Sequence, residues 1–147
     1  MNNLRLRRAT ASDSEFAYLT KRAAFKEYVD KIWGWDEDRQ RELHERRFSL
    51  QDVRIINVSG ADVGFLSYVV EQDHLELNQL FILPEHQGKG VGTECTLRIV
   101  RKARRLGLPV RLGVLKANPR ALAFYGRLGF RRTGETETHI LLEKGRS

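Results

Sequence analysis

The sequence predicts an α/β fold with a mixed, mostly antiparallel central sheet and helices on both faces. Two observations predict it. Segments in which apolar and polar residues alternate, as in strands, are interleaved with segments in which apolar residues recur every three or four positions, as in helices. The strand–helix–strand step over residues 75–115 requires a crossover, and such a crossover joins two parallel strands.

The element order follows from these periods and from the residues that begin or end each segment. In chain order the sequence predicts a strand at 3–8, helices at 12–33 and 36–48, strands at 53–58, 63–70 and 75–83, a helix at 90–106, a strand at 110–115, a helix at 119–128 and a strand pair within 130–144. Ser12 and Glu15 are predicted to form a capping box, and Asp36 to cap the second helix. Residues 59–62 are predicted to be a hairpin turn, and Gly107 to end the third helix. We expect one domain, since 147 residues fall within its usual range.

Composition excludes several classes of protein. With 41% hydrophobic and 31% charged residues, and no apolar run near the roughly 18 residues of a span, no membrane segment is expected. The N-terminus lacks the order of a secretory signal, so we expect a cytoplasmic protein. The lone Cys95 excludes an internal disulfide, and no cluster of His or Cys indicates a metal site. Cys95 is predicted to be a small core residue rather than a nucleophile.

The net charge of +7 is unevenly distributed along the chain. Residues 1–83 hold 12 Lys and Arg against 14 Asp and Glu, a balance of −2, whereas residues 84–147 hold 14 against 5, a balance of +9. An anionic ligand is therefore expected to bind the second part. A solvated basic helix face would give the same count.

The strongest motif is the glycine-rich segment at residues 84–92, which leaves a strand and opens into an amphipathic helix. Glycines let the backbone approach a phosphate, and the free N–H groups and dipole of a helix N-terminus attract negative charge. The segment lacks the Gly-Lys-Ser/Thr of a P-loop. It also lacks a dinucleotide fingerprint, since Gly88, Gly90 and Gly92 are evenly spaced and residues 107–115 contain no acid.

Gln87, Gly90 and Gly92 follow the pattern Gln-x-x-Gly-x-Gly. Downstream, residues 118–130 hold an Asn, a predicted helix with Tyr125 and a Gly-Phe pair. Both segments resemble those of the GNAT superfamily of N-acetyltransferases, whose signature is Gln/Arg-x-x-Gly-x-Gly/Ala. The resemblance covers roughly residues 53–143 and implies a GNAT-like sheet whose parallel strand pair is splayed.

The resemblance implies that acetyl-CoA is the acyl donor, with no metal involved. Its pyrophosphate would lie on the glycine-rich segment, and its pantetheine arm would enter the splay between the strands at 75–83 and 110–115. The residues that the resemblance assigns to acetyl-CoA are Leu80, Phe81, Ile82, Gln87, Gly88, Lys89, Gly90, Val91, Gly92, Asn118 and Tyr125. The first three would act through main-chain groups. Asn118 would contact the arm or brace the strands, and its alternative role is that of a simple helix cap.

Acetyl transfer needs a neutral amine and a proton for the departing thiolate. Tyr125 resembles the family's general acid, and a phenol is protonated at neutral pH. The alternative is that Tyr125 only packs its helix against the sheet. Glu76 resembles the catalytic glutamate of some members, or is a solvated strand-end acid. Period two places Asn78 on the same face, where it could orient a water instead. His74 and His86 are predicted to be surface residues.

The acceptor site is predicted at the junction of the first two helices. Tyr28, Trp33 and Trp35 cluster there, beside five acids between Glu27 and Asp38. Aromatic faces and carboxylates both attract ammonium groups, so a cationic primary amine is expected. The alternative is that both tryptophans belong to the core.

Three function classes follow from these features. The first is an N-acetyltransferase that acts on a small molecule, a peptide terminus or a lysine. The second is an acyl-CoA-binding module without catalysis. The third is a nucleic-acid-binding domain that uses the basic helix face at 98–105, and it ranks last because that face carries no recognised reading motif. We expect a monomer or a homodimer.

Overall fold

The computed structural model describes residues 1–145, which form a seven-stranded sheet and four α-helices. The strands are β1 (Leu4–Arg8), β2 (Asp52–Val58), β3 (Ala61–Val70), β4 (Leu75–Ile82), β5 (Val110–Leu115), β6 (Arg131–Glu135) and β7 (His139–Lys144). The helices are α1 (Ser14–Asp30), α2 (Glu37–Leu50), α3 (Val91–Arg105) and α4 (Pro119–Arg127). The strand order is β1-β2-β3-β4-β5-β7-β6, and β4 and β5 are parallel. The predicted fold class is therefore confirmed, including the parallel pair at the crossover.

The described chain divides into two compact units. The first holds Met1–Tyr68 and Gln79–Gly92, and the second holds Val69–Asn78 and the chain from Thr93 onward. Each unit buries apolar side chains of its own. That the whole chain is one domain stays a prediction.

In the first unit, the two N-terminal helices pack on β2 and β3. Ala17 of α1 lies in one buried cluster with Val53, Ile55 and Phe65, and Phe48 of α2 packs against that cluster. Ile55 and Phe65 are partners in the antiparallel register of β2 and β3, and neither is exposed. Burial of each such side chain stabilises the fold by about 1.5–3 kcal/mol.

The capping box before α1 lies two residues earlier than predicted. It is formed by Thr10 and Asp13 on a short 3₁₀ turn. Asp13 also accepts hydrogen bonds from Arg7 at 2.9 and 3.0 Å, and these bonds lower the pKa of its carboxyl to about 2. The predicted box was wrong because the Glu15 carboxylate pairs with Arg41 of α2 instead.

The β2–β3 hairpin turns through two residues, not the four predicted. Ser59 and Gly60 have φ of 53° and 91°, the positive values that a type I′ turn requires. The Asn57 side chain supports the turn, since its oxygen accepts from the Gly60 N–H at 3.0 Å and its amide donates to Asp62 at 2.9 Å. The longer turn was wrong because Ala61 and Asp62 are already paired with β2.

In the second unit, the apolar face of α3 is buried as its period predicts. Cys95, Ile99 and Ala103 are all buried. Burial raises the pKa of the Cys95 thiol to about 12, so it stays protonated near neutral pH and the core prediction is confirmed. The helix predicted to reach residue 106 ends at Arg105, and Leu106, which the apolar period would place on the same face, is exposed.

The parallel pair is short. Leu75 and Glu76 of β4 lie in register with Val110 and Arg111 of β5. Within residues 1–145 these two pairs make up the whole parallel register, and both lie at the N-terminal ends of the strands. The two strands are therefore joined where they begin.

A buried charged residue on α1, Lys21, has no counterpart in the sequence predictions. Lys21 is only 4% exposed. Burial, and next the charge of Arg47, lower the pKa of its ammonium group from 10.5 to about 8. Because the unfolded chain keeps the ordinary pKa, the protonated ammonium destabilises the folded protein at neutral pH.

Replacement of Lys21 by Met should raise the free energy of unfolding at pH 7 by about 1–3 kcal/mol, because Met has no charge to desolvate. The gain should shrink between pH 8 and 10.5, where the folded wild type has released its Lys21 proton but the unfolded chain still holds it. Urea unfolding of both proteins across this range measures the difference. Lys26→Met is the control, since Lys26 is half exposed on the same helix. An equal gain in both variants would contradict the buried-charge explanation.

Candidate functional site

The glycine-rich turn follows β4 directly and lies in the first unit. Pro84–His86 form a 3₁₀ turn that was not predicted, and α3 begins at Val91. Gly88 and Gly90 have φ of 76° and 82°, in the left-handed region that other residues rarely adopt. A Cβ at either position would meet no atom within 4 Å. The backbone therefore favours glycine at both positions, and the space beside them is open.

Gln87 fastens this turn to the end of β4. Its side-chain amide donates to the carbonyl oxygen of Ile82 at 2.9 Å. The backbone N–H groups of His86 and Gln87 donate to the carbonyl oxygens of Leu83 and Pro84. Because α3 starts immediately after the turn, its first N–H groups and the positive end of its dipole lie there. The arrangement suits an anion, with Gln87 shaping the turn.

The first half of β4 alternates in burial as period two predicts. Leu75, Leu77 and Gln79 are buried, whereas Glu76 is partly exposed and Asn78 is exposed. Glu76 and Asn78 thus share the more open face of the strand. This is the face on which both were predicted.

The last three residues of β4, Leu80–Ile82, are partly exposed. The Phe81 ring packs on Phe25 and Phe65, with ring centroids 5.0 and 5.7 Å apart. A Cβ on Gly64 of β3 would overlap the carbonyl oxygen of Phe81. Gly64 therefore permits the close approach of β3 and the end of β4. Sequence reasoning missed it, although a lone glycine inside a strand pattern was the available signal.

Glu76 belongs to a cluster of charged side chains in the second unit. The His74 ring makes two hydrogen bonds. Its Nε2 is 3.0 Å from Glu76 Oε1, and its Nδ1 is 2.7 Å from Asp73 Oδ1. Arg111 of β5 is 3.5 Å from His74 Nδ1 and donates to Glu143 at 2.7 Å. His74 is thus a partly exposed residue that lies between two carboxylates, an environment that the prediction of a surface histidine did not include. The signal was the His-x-Glu spacing, which places both side chains on one side of an extended chain.

Tyr125 lies on α4 of the second unit and is 9% exposed. Its ring stands edge-on to Phe124 and Phe130, at centroid distances of 4.9 and 5.4 Å. Burial, and next the nearby Cys95, raise the pKa of the Tyr125 phenol. The ring therefore packs α4, and the hydroxyl keeps its proton throughout the neutral range.

Asn118 begins α4 as a helix cap. Its side-chain oxygen accepts from the Ala121 N–H at 3.1 Å. Pro119 fills the first helical position, where no N–H is needed. The helix-cap alternative for Asn118 is thus confirmed, and its contact with a cofactor arm stays a prediction.

The aromatic residues predicted to receive the acceptor differ in environment. Trp33 is 60% exposed, so it is not a core residue. Trp35 is partly buried, and its Nε1 donates to Glu37 at 2.8 Å. The Lys31 ammonium lies 5.4 Å from the centroid of the Tyr28 ring. Trp33 therefore offers the most accessible ring of the three.

Two of the five acids in this segment already have a cationic partner. Asp30 pairs with Lys26 at 2.9 Å, and Glu37 pairs with Arg22 at 2.8 Å. The attraction of this segment for a cationic ligand is therefore smaller than a count of its acids indicates.

The predicted site residues are divided between the two units. The first unit carries the glycine-rich turn, the end of β4 and the aromatic segment, and the second carries Glu76, Asn78, Asn118 and Tyr125. Across residues 1–145, no group of three or more His, Cys, Asp or Glu side chains is placed to hold a metal ion. In the same part of the chain, every helix is too short or too polar to cross a membrane.

Comparison of the sequence with profiles of known protein families identifies the family of this chain. The profile of the acetyltransferase (GNAT) family matches residues 15–130, which include the glycine-rich turn and α4. The chain belongs to the GNAT family. The resemblance stated from the sequence is therefore confirmed.

The chain is also similar to a curated relative in sequence and to two solved structures in fold. An uncharacterised N-acetyltransferase of Methanocaldococcus jannaschii is 31% identical over 84 residues, which are 52% of this chain and only 37% of that protein. The PaiA N-acetyltransferase of Thermoplasma acidophilum, in complex with coenzyme A, superposes with a TM-score of 0.80 at 18% identity, covering 97% of this chain and 98% of that one. The spermidine N-acetyltransferase of Vibrio cholerae superposes with a TM-score of 0.73 at 20% identity, covering 100% and 96%. At these identities the two structures show a shared GNAT fold.

Proposed function

We propose that this GNAT protein transfers an acetyl group from acetyl-CoA to a primary amine, by direct attack of the amine on the thioester. The observation that carries the proposal is the open turn at Gly88 and Gly90, directly before α3, in a chain of this family. The turn leaves room for a phosphate, and the helix N-terminus supplies donors and positive potential. The coenzyme A held by the Thermoplasma acidophilum protein supports this choice of donor.

In the proposed complex the pyrophosphate lies on residues 87–92, where the exposed Lys89 adds a positive charge. Main-chain groups of Leu80–Ile82 receive the pantetheine arm. Gln87 acts indirectly, because its amide is bonded to Ile82 and holds the turn in shape. The excess of positive charge after residue 83 favours an anionic donor.

Gly90→Asp should weaken coenzyme A binding at least about tenfold relative to Gly90→Asn. Both side chains tolerate the left-handed backbone and have nearly the same shape, so the difference between the two variants measures the effect of charge. Titration calorimetry with coenzyme A on both folded variants measures the two affinities. Equal affinities would show that no phosphate lies beside Gly90.

The thiolate of coenzyme A needs a proton as it leaves, and we assign this donation to Tyr125. Burial raises the pKa of this phenol, which by itself makes proton transfer harder. A thiolate formed in similarly dry surroundings is also more basic, as shown by Cys95, whose pKa burial raises to about 12. Burial thus makes the phenol a weaker acid and the thiolate a stronger base. These two effects offset each other, so the buried phenol remains a suitable acid.

Tyr125→Phe should keep the fold and the affinity for coenzyme A while lowering kcat by about 10²–10⁴, the usual range for a lost general acid. The ring contacts survive because only the hydroxyl is removed. A thiol-release assay with a panel of amines measures kcat. Tyr68→Phe is the matched control, because it removes a hydroxyl near Arg54 on β3 and should leave kcat unchanged. A wild-type kcat in Tyr125→Phe would contradict the role of Tyr125 as general acid and leave it only a role in packing α4.

The acceptor amine must lose a proton to become a nucleophile. An amine of pKa about 10 is neutral in roughly one part per thousand at pH 7, which corresponds to about 4 kcal/mol. We assign the base to Glu76. To Asn78, which is exposed on the same face, we assign the orientation of the amine or of an intervening water.

The proposed acceptor is a cationic amine that approaches Tyr28, Trp33 and Trp35. The contact of Lys31 with the Tyr28 ring shows that an aromatic face in this segment accommodates an ammonium group. The polyamine acceptor of the Vibrio cholerae protein supports a cationic substrate on this fold. Since two nearby acids are paired internally, the rings must supply much of the attraction.

Trp33→Ala should raise the KM for the amine about 2- to 30-fold, as expected for a cation–π contact of about 0.5–2 kcal/mol. The KM for acetyl-CoA and the melting temperature should stay almost unchanged, because Trp33 is exposed. Trp35→Ala should instead lower the melting temperature, since that ring is partly buried and bonded to Glu37. Steady-state kinetics beside melting curves separate the two effects. A preferred acceptor that is neutral or anionic would contradict the assignment.

A further inference from the structure

Three side chains at the start of β4 form a continuous hydrogen-bonded chain that ends in solvent. Glu76 Oε1 is 3.0 Å from His74 Nε2, and His74 Nδ1 is 2.7 Å from Asp73 Oδ1. The side chain of Asp73 is 70% exposed, whereas that of His74 is 16% exposed. An imidazole between two carboxylates can accept a proton at one nitrogen and release another from the opposite one.

Neighbouring strands hold this chain of side chains in place. Arg111 of β5 lies in register with Glu76 and is 3.8 Å from the Asp73 carboxylate. Arg111 is itself anchored by Glu143 of β7. The hydrogen bond to Asp73, and after it the one to Glu76, raise the pKa of His74, while burial and Arg111 oppose them. The net effect raises the pKa of His74 above its ordinary value, so the two carboxylates strengthen the affinity of the imidazole for a proton.

We propose that His74 passes the proton that Glu76 takes from the acceptor amine on to Asp73 and so to water. This inference rests on the proposed function, in which Glu76 is the base. Glu76 must lose its proton before the next turnover, and the hydrogen-bonded chain provides a direct path for that loss. His74 acts through Glu76, so it is a positioning residue that also relays the proton.

The proton transfers balance over one turnover. The acceptor ammonium first gives one proton to Glu76, and this proton reaches water through His74 and Asp73, which leaves a neutral amine. As this amine attacks, the new C–N bond forms and the nitrogen becomes positively charged. Its N–H proton passes to the Glu76 carboxylate, and the electron pair of that bond stays on nitrogen. The Glu76 proton then passes to His74 Nε2 while the proton on Nδ1 passes to Asp73 and to water. His74 returns to its starting tautomer by proton exchange with water, which adds a proton at Nδ1 and removes the one at Nε2. The C–S bond breaks, the thiolate takes a proton from Tyr125, and Tyr125 regains one from water.

The test compares wild type, His74→Gln, Glu76→Gln and the double variant between pH 6 and 9.5. Acetyl-CoA is the donor, and the acceptor is the best amine of a panel that contains spermidine, lysine and a peptide with a free N-terminus. His74→Gln should lower kcat at pH 7 at least about fivefold and leave the KM for acetyl-CoA unchanged. The deficit should shrink toward pH 9.5, where more of the amine is already neutral.

Two of these variants distinguish proton relay by His74 from a purely structural role of its side chain. Gln can still donate a hydrogen bond to Glu76, so a merely structural His74 would be replaced with little loss. The double variant should be no slower than Glu76→Gln, because His74 acts only through Glu76. Glu71→Gln is the charge-matched control on the same loop, and it should leave kcat unchanged.

A wild-type kcat and pH profile in His74→Gln, beside a slowed Glu76→Gln, would overturn the relay and leave the proposed function intact. A wild-type profile in Glu76→Gln would overturn the base assignment and the relay together, while acetyl transfer itself would stand. Should His74→Gln fail to fold, Asp73→Asn takes its place, because Asp73 is exposed. Asp73→Asn should lower kcat about twofold or more at pH 7, and an unchanged rate would overturn the relay.

Discussion

The turn between β4 and α3 is the constraint on which the rest of the candidate site depends. Pro84 ends the strand because it has no N–H for a sheet ladder. The Gln87 amide ties the turn to Ile82, and Gly88 and Gly90 take left-handed conformations. Together they bring the chain from the strand into a helix whose first N–H groups face the turn. Both the family resemblance and the proposed phosphate contact originate in this one stretch of backbone.

Much of the fold could be predicted because its signals are local. Asp36 caps α2 by accepting from the Arg39 N–H at 3.1 Å, and Asn118 caps α4 in the same manner. Both caps act over three residues, so the sequence shows donor and acceptor together. The buried face of α3, with Cys95 at its centre, follows from its apolar period in the same way. The glycine spacing of the turn is also local, so the GNAT resemblance can be read from a short run of residues.

The features that could not be predicted depend on residues far apart in the chain. Glu15 was expected to form a capping box with Ser12, but its carboxylate pairs with Arg41, which lies 26 positions away and could not be identified from local spacing. His74 meets Arg111, 37 positions away, only because β4 and β5 pair. Trp33 and Trp35 are the same residue type two positions apart, yet only Trp35 hydrogen-bonds to Glu37. Composition and local spacing do not show such contacts. The surroundings of Glu76 and of the aromatic segment depend on the tertiary fold and could not be predicted from the sequence.

The pairing of Arg111 with Glu143 also bears on how the second unit assembles. The strand registers place one residue of each strand in a single row across β4, β5, β7 and β6, namely Glu76, Arg111, Glu143 and Arg131. Charges of opposite sign therefore alternate along the row. Arg111 and Glu143 lie 32 positions apart, so their pairing closes a long loop, and such non-local contacts slow folding. A slip of β7 by two residues would set Arg111 opposite Leu141 and break its ion pair with Glu143. The alternating charges thus favour the native register of the strands over registers shifted by two residues. These charges therefore help to specify the fold, apart from any role in catalysis.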